Sequence, residues 1–574
     1  MGRFGALEPT APIPILPEET CRMTRLTVRH YLLLALGTFM LLLPGRASLP
    51  PLDRDEPRYM EASAQMLRSG DFIDVRFQDK PRYLQPAGIY WLEAASVAAT
   101  GTLDRRAVWP YRIPSLLAAT ASVVLTAWIG ATLFGPASGL LAAALLAVSV
   151  LMMAEGRMAT IDSTLLLTVL LAEAGLLRAY LDREKGQPTP VSAALLYWVA
   201  LGAGLMLKGP VVLIPGFGTP LALALVERRI DWWRRLRPAW GWLVMLAIVL
   251  PWCIAIGVVS HGDFFSRAVG TNFLGKVASG QQAHGLPPGY HLVAFALAFW
   301  PGSLFAALAL PFVWAQRHTP PIRFLLCWIV PHWLVFEAIA TKLPHYVLPT
   351  YPAIALLAAA AIMTTPDRWR WPASRAARAG LALYGALWLV VGLVLSVAGP
   401  VLLWWLEHEI VPASLLIPLG ALPLLVIATR LLVRRQMLHA AMSAIAAAII
   451  IHVGLFLTVV PALKTIWLSP RLAALVDDYR PCPDTVVVSP SFSEPSLVFL
   501  VGQNTVLVGP KEAADVLRDN RACGLALVDR KDEPAFRDRL HADGLDVIEF
   551  GRVSGLNYST GKHLDIGLFG PTPP

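Results

Sequence analysis

Apolar residues along this chain gather into unbroken stretches near the ~20 residues that a bilayer-crossing helix needs, separated by short polar turns. About thirteen such stretches occur, with cores at 31–48, 112–134, 136–154, 161–182, 191–207, 209–227, 238–259, 290–316, 321–341, 346–364, 379–398, 412–433 and 438–461. They predict an α-helical bundle, because backbone polar groups in lipid must be satisfied within their own segment. Two regions break the pattern. Residues 1–29 are polar and rich in Pro and Glu, with no apolar core or small-residue cleavage site, so they read as a disordered cytoplasmic tail. From about residue 465 the pattern becomes that of a soluble domain. "DTVVVSP", "NTVLVG" and "ACGLALVDR" read as strands, "PKEAADVLRDN" and "EPAFRDRLHADG" as helices, and "LDVIEFGRV" and "HLDIGLFG" as further strands. The expected fold class is therefore an α-helical integral membrane protein with about 13 transmembrane helices over 30–464, followed by a small α/β domain over 465–574. No G-x-G-x-x-G follows any strand, so no nucleotide and no cofactor is expected.

Charge adds orientation. The chain is 56% hydrophobic and only 15% charged, and its net charge of +9 sits between apolar runs, which argues for topology signals and against nucleic-acid binding. "RAYLDREKG", "ERRIDWWRRLR", "AQRHTPPIR", "PDRWRWPASRAAR" and "TRLLVRRQ" all follow even-numbered spans and are rich in Arg. The remaining even-numbered end, "FGPAS", is a neutral turn. Those ends belong in the cytoplasm. The loop 49–111, the turns near 155–160 and 208, the loop 260–289, the turn 341–346 and the tail then face the other side, the periplasm of a bacterium. Cys253 and Cys327 fall inside spans and read as small hydrophobes. Cys482 and Cys523 lie in the tail, where spacing alone leaves a disulfide open.

The first loop is unusual for so greasy a chain. "LPPLDRDEPRYMEASAQMLRSGDF" places Asp53, Asp55, Glu56, Arg58 and Glu61 directly after an apolar run. Tyr59, Met60, Ala64 and Leu67 keep helical spacing and Gly70 is placed to end the helix. "QPAGIYWLEAASVAATG" is a second apolar piece, interrupted by Glu93 and short for a span. Both pieces are expected to lie at the membrane interface, holding carboxylates at headgroup depth.

These residues carry a resemblance. An Asp-Glu pair followed by Arg-Tyr and "MLRSGD" in a first external loop resembles the polyprenyl-phosphate-sugar-dependent glycosyltransferases of the GT-C class. The resemblance is to the branch of lipid A aminoarabinose transferases and related galacturonosyl transferases. "MATIDSTLLL", "LMLKGP" and "TKLPHYVLPTYP" look like three further motifs of that branch, in the same order. Thirteen spans and a terminal α/β domain are also its architecture. The sequence departs at one place: the branch carries Glu-Lys-Pro where Leu84, Gln85 and Pro86 stand here. Lys80, Arg82 or Tyr83 is expected to supply the missing contact, and the departure leaves the sugar open.

The resemblance implies transfer of a sugar from a polyprenyl phosphate to lipid A or the lipopolysaccharide core, inverting and metal-independent, by a monomer in the inner membrane with its site facing the periplasm. A hydroxyl acceptor needs a carboxylate to take its proton, and the leaving phosphate needs fixed cations. Asp55 is the first choice for that carboxylate, Asp53 the runner-up, and Asp162 the third, at the entry of a span. Arg58 and Tyr59 are expected to contact phosphate or sugar, as are Lys208, Lys342, His345 and Tyr346. In the loop 260–289, His261, Arg267 and His284 are weaker candidates. An alternative enzyme is a protein O-mannosyltransferase-like transferase with a protein acceptor. A lipid-linked sugar transporter is a third reading, which the one-sided charges disfavour.

Overall fold

The computed structural model describes residues 25–52, 55–275, 286–364 and 374–572. A helix occupies each of the thirteen expected positions. Among the described residues, nine helical segments are long and apolar enough to cross a membrane by themselves, or up to ten if a bent pair is one span. The chain is a multi-pass membrane protein. Its remaining expected spans differ for identifiable reasons. Val28–Leu42 and Pro136–Ala147 are apolar but short. The stretch 290–316 is two helices, Tyr290–Ala298 and Gly302–Gln316, bent by 119°. The stretches 191–207 and 209–227 together form one 37-residue apolar segment with a tighter turn at Gly209–Val212. That turn needs its glycine: Gly209 has φ +61°, a conformation that costs a side-chain-bearing residue roughly 1 kcal/mol or more.

The first loop forms two helices, Asp55–Ser69 and Gly88–Thr100, joined by the small antiparallel ribbon β1 (Arg76–Phe77) and β2 (Lys80–Pro81). Gly70, at φ +71°, ends the first helix and its amide donates to the Met66 carbonyl. The expectation that this helix lies along the bilayer needs correction. Its apolar face is covered by protein: Met60 and Ala64 pack with Val97, Tyr111, Ala159 and Phe499, all buried. Burying each large apolar side chain is worth roughly 1.5–3 kcal/mol, so this docking outweighs a loose association with headgroups. The second helix keeps Trp91 and Leu92 exposed on its outer side. At its start Gly88 lies so close to the next span that a Cβ would stand 2.5 Å from the Met206 carbonyl oxygen.

The terminal domain is a five-stranded sheet in the order β4 (Thr505–Val506), β3 (Val486–Val488), β5 (Gly524–Asp529), β7 (Lys562–Pro571), β6 (Val547–Asn557). β3 runs parallel to β4 and β5, while β7 is antiparallel to β5 and β6. Val487, Leu497, Leu527, Ile566 and Leu568 fill its core against the helix Leu468–Asp478. Cys482 and Cys523 are joined in a disulfide, with their Cα atoms 5.8 Å apart.

Candidate functional site

Of the Asp-Glu pair, Glu56 is turned inward and fully buried. Its carboxylate accepts from Arg112 Nε at 2.7 Å and Nη2 at 3.0 Å, from the Leu52 amide at 2.6 Å and from the Ala159 amide at 2.7 Å. Arg112 places its other donors on the carbonyls of Arg46, Leu49 and Pro50. All five guanidinium hydrogens are thereby used, which is what makes so deep an ion pair tolerable. Glu56 and Arg112 fasten the first loop to the turn that carries Asp162. The sequence reading did not single out either as an anchor, since a fully satisfied pair leaves no mark in a charge pattern.

Asp55 points the other way and its side chain is 57% exposed. Two guanidiniums flank it, Arg58 at 3.6 Å and Arg82 at 3.8 Å. Arg82 is buried, donates to the Tyr90 hydroxyl at 3.0 Å and lies over the Tyr59 ring. Burial opposes its charge, but Tyr90, Tyr59 and Asp55 outweigh that and hold it above the ordinary arginine value. Tyr59 is pushed well above the usual tyrosine range, by burial first and by Tyr90 and Asp55 next, so it stays a neutral phenol. Asp53 lies outside the described residues.

The second half of the site comes from three turns at the same end of the bundle. Asp162 opens the helix Asp162–Glu184 and pairs with Lys208 Nζ at 2.5 Å. Lys208 ends its own helix and stands over the Tyr346 ring, 5.6 Å from the centroid. His345 lies between two carboxylates, its Nδ1 3.6 Å from Glu155 and its Nε2 3.9 Å from Asp162. The backbone under Tyr346 is fixed from behind, with His332 Nε2 2.9 Å from the Tyr346 carbonyl oxygen. Glu155 and His332 are additions to the residues expected from sequence. Glu155 stands only seven positions before Asp162, in a turn already expected at this face.

A cavity of about 260 Å³ opens beside this cluster. Its walls are apolar, from residues such as Leu165, Leu205, Val249, Phe264 and Phe336, and its polar end is Asp162, Lys208, His345 and Tyr346. Leu84, Gln85 and Pro86 line it too, so the departure from Glu-Lys-Pro falls on the cavity wall. Gln85 donates to the Tyr90 hydroxyl at 3.3 Å, and Asn272 donates to the Leu84 carbonyl at 2.8 Å.

Five expected contacts do not join the cluster. Lys342 turns its ammonium onto the carbonyls of Phe336, Glu337 and Ile339, where it closes the end of the helix Pro320–Ala338. Burial pulls its pKa down. Arg267 is exposed and pairs with Asp263 at 2.8 Å. Lys80 is exposed on the ribbon. Tyr83 donates to Asp74 at 2.8 Å and packs on Phe264, and burial with that hydrogen bond pushes it up to about 12. His261 is exposed, and His284 lies outside the described residues. Glu155, Asp162 and His345 each offer one ligand atom within 4.8 Å of the others, a spacing that would admit a divalent cation. Lys208 already neutralises part of that charge.

The geometry has solved counterparts. The crystal structure of ArnT from Cupriavidus metallidurans bound to undecaprenyl phosphate superposes with a TM-score of 0.70, covering 94% of this chain and 97% of that one at 17% identity. The chain shares the fold of ArnT. The archaeal oligosaccharyltransferase AglB from Archaeoglobus fulgidus, in complex with an inhibitory peptide and a dolichol-phosphate, is a more distant relation in fold. It superposes at TM-score 0.51 and 11% identity, over 95% of this chain and 74% of AglB. In sequence, the profile of the dolichyl-phosphate-mannose-protein mannosyltransferase family matches residues 51–261. An undecaprenyl phosphate-alpha-4-amino-4-deoxy-L-arabinose arabinosyl transferase of Pectobacterium carotovorum is 30% identical over 342 residues, 58% of this chain. One of Pseudomonas paraeruginosa is 29% identical over 343 residues. Each match covers 59% of the relative, so this chain spans less than two thirds of these relatives in sequence.

Proposed function

We propose that this protein is an inner-membrane glycosyltransferase that moves one sugar from undecaprenyl phosphate to lipid A or the lipopolysaccharide core on the periplasmic side. The sugar is aminoarabinose, galacturonic acid or a close analogue. The observation that carries this reading is the apolar cavity ending at Lys208, His345 and Tyr346, which suits a polyprenyl tail with a phosphate at its head. The names of the sequence relatives and the undecaprenyl phosphate of the ArnT structure support the same donor.

The chemistry follows from the two halves of the site. The acceptor oxygen forms a bond to the anomeric carbon as the carbon–oxygen bond to phosphate breaks, and the phosphate leaves with the electron pair. Lys208 at one side and Arg82 at the other meet its growing charge as preorganised cations. A hydroxyl acceptor gives its proton to Asp55; for a phosphate acceptor Asp55 orients the sugar instead. Opposite-face attack in one displacement inverts the anomeric centre. These cations make a metal unnecessary in this scheme.

The test uses purified full-length protein with synthetic undecaprenyl-phosphate sugars and lipid A. Release of undecaprenyl phosphate together with a sugar-modified lipid A is the expected result, and Asp55→Asn should slow both by about two to four orders of magnitude. The match to the mannosyltransferase profile favours one second reading, a protein acceptor. Transfer to peptide but not to lipid A in the same assay would establish it.

A further inference from the structure

The sheet domain reaches into the first loop through one side chain. In the helix Pro495–Val501, Leu497 and Val501 belong to the sheet's own core, with Val487, Leu527 and Ile566. Phe499 does not. It is 2% exposed, yet the buried residues it clusters with are Met60, Ala64, Val97, Tyr111 and Ala159, all outside the sheet domain. Its ring meets the edge of Tyr111 at 5.4 Å between centroids. Four of those five residues bear on the candidate site. Met60 and Ala64 are on the helix that begins at Asp55, Tyr111 precedes Arg112, and the Ala159 amide donates to Glu56.

Three side chains make polar contacts between the same two bodies. Arg106 donates to the Leu500 carbonyl at 2.8 Å, Gln78 to the Thr505 carbonyl at 2.6 Å, and the Tyr558 hydroxyl to the Leu52 carbonyl at 2.8 Å. The Leu52 peptide is therefore gripped from both sides, since its amide donates to Glu56. A helix held on one face only by the bundle would be free to rock, whereas one wedged between two bodies keeps its carboxylate in place.

We propose that the terminal sheet domain is part of the transfer machinery, and that Phe499 is its positioning residue for Asp55. This rests on the transferase reading given above for its kinetic consequence, but not for the docking itself. Because Phe499 contributes nothing to the sheet's core, shortening it should release the first-loop helix while leaving the domain folded. Misplacing a reacting group by about 1 Å can cost on the order of a hundredfold in rate.

The experiment compares full-length wild type, Phe499→Ala and Phe499→Leu by hydrogen exchange and by turnover. Phe499→Ala should raise exchange across 55–69, leave β5 and β7 protected, and lower kcat by roughly ten- to a hundredfold. Phe499→Leu, which refills most of the space, should restore both. Combined with Asp55→Asn, Phe499→Ala should slow the residual rate no further, because its effect passes through Asp55. Unchanged exchange across 55–69 in Phe499→Ala would overturn the proposal, as would a double variant much slower than Asp55→Asn alone. If the wild type transfers no sugar, the transferase reading fails, and the exchange result still decides whether Phe499 holds the helix.

Discussion

Asp55 and Glu56 are neighbours in sequence with opposite tasks, and the difference lies in what each one touches. Glu56 accepts four hydrogen bonds in the protein interior, while Asp55 faces the open site between two arginines. Asp55→Asn should therefore lower turnover by about two to four orders of magnitude with an unchanged melting temperature, read by kinetics and thermal unfolding together. Lys208→Met should act on the donor instead, weakening binding of undecaprenyl phosphate by roughly tenfold or more, measurable by titration. Glu61 supplies a pH test. Burial, partly opposed by Arg68, pushes its pKa up to about 7 from an ordinary 4.5. Below about 4.5 both folded and unfolded chains hold the proton; above it the unfolded chain loses the proton first. Stability is thus lost as pH rises through 7, by roughly 3 kcal/mol. The melting temperature should fall between pH 5 and 8 in wild type, and Glu61→Gln should flatten that fall. The motifs that carry the resemblance pointed to Asp55, Asp162, Lys208 and Tyr346, and the structure brings the last three to one cavity. Those motifs could not separate Lys342 from Lys208. Both follow an apolar helix, and only the coordinates put one on carbonyls and the other on a carboxylate.

At the scale of elements, hydrophobic run length located a helix at every expected position, because nothing else satisfies backbone groups in lipid. Run length is blind to breaks, so 290–316 read as one span where two helices meet at 119°. It is equally blind to what covers an amphipathic face. The helix Asp55–Ser69 has the pattern of a surface-lying helix, but the second body that buries it comes from more than 400 residues later in the chain. One glycine sets how closely these elements approach. Gly88→Ala would drive a Cβ against the Met206 carbonyl and push the second first-loop helix away from the Lys208 turn. A loss of roughly 1–3 kcal/mol in stability is expected, with weaker donor binding, from thermal unfolding and lipid titration.

Across the whole molecule, charge is divided between two ends of the bundle. Asp162 and Arg183 sit at opposite ends of one helix, about 30 Å apart at 1.5 Å per residue. At the far end Glu227 collects Tyr180, Arg183 and Arg323, each at 2.6 Å, which ties three helices together away from the site. The near end gathers the first loop, the cavity and the sheet domain, and the proposed transfer would take place there. With Lys208 and Arg82 as the cations, the reaction should proceed at an unchanged rate in excess chelator. A rate lost to chelator and restored by added divalent ion would instead place a metal at Glu155, Asp162 and His345. The most direct test of the whole account is mass spectrometry of lipid A and core oligosaccharide from cells with and without this gene. A mass difference of one aminopentose, uronic acid or hexose, lost on deletion and absent when only Asp55→Asn is supplied, is the predicted result. Identical glycolipids in both cells would contradict it.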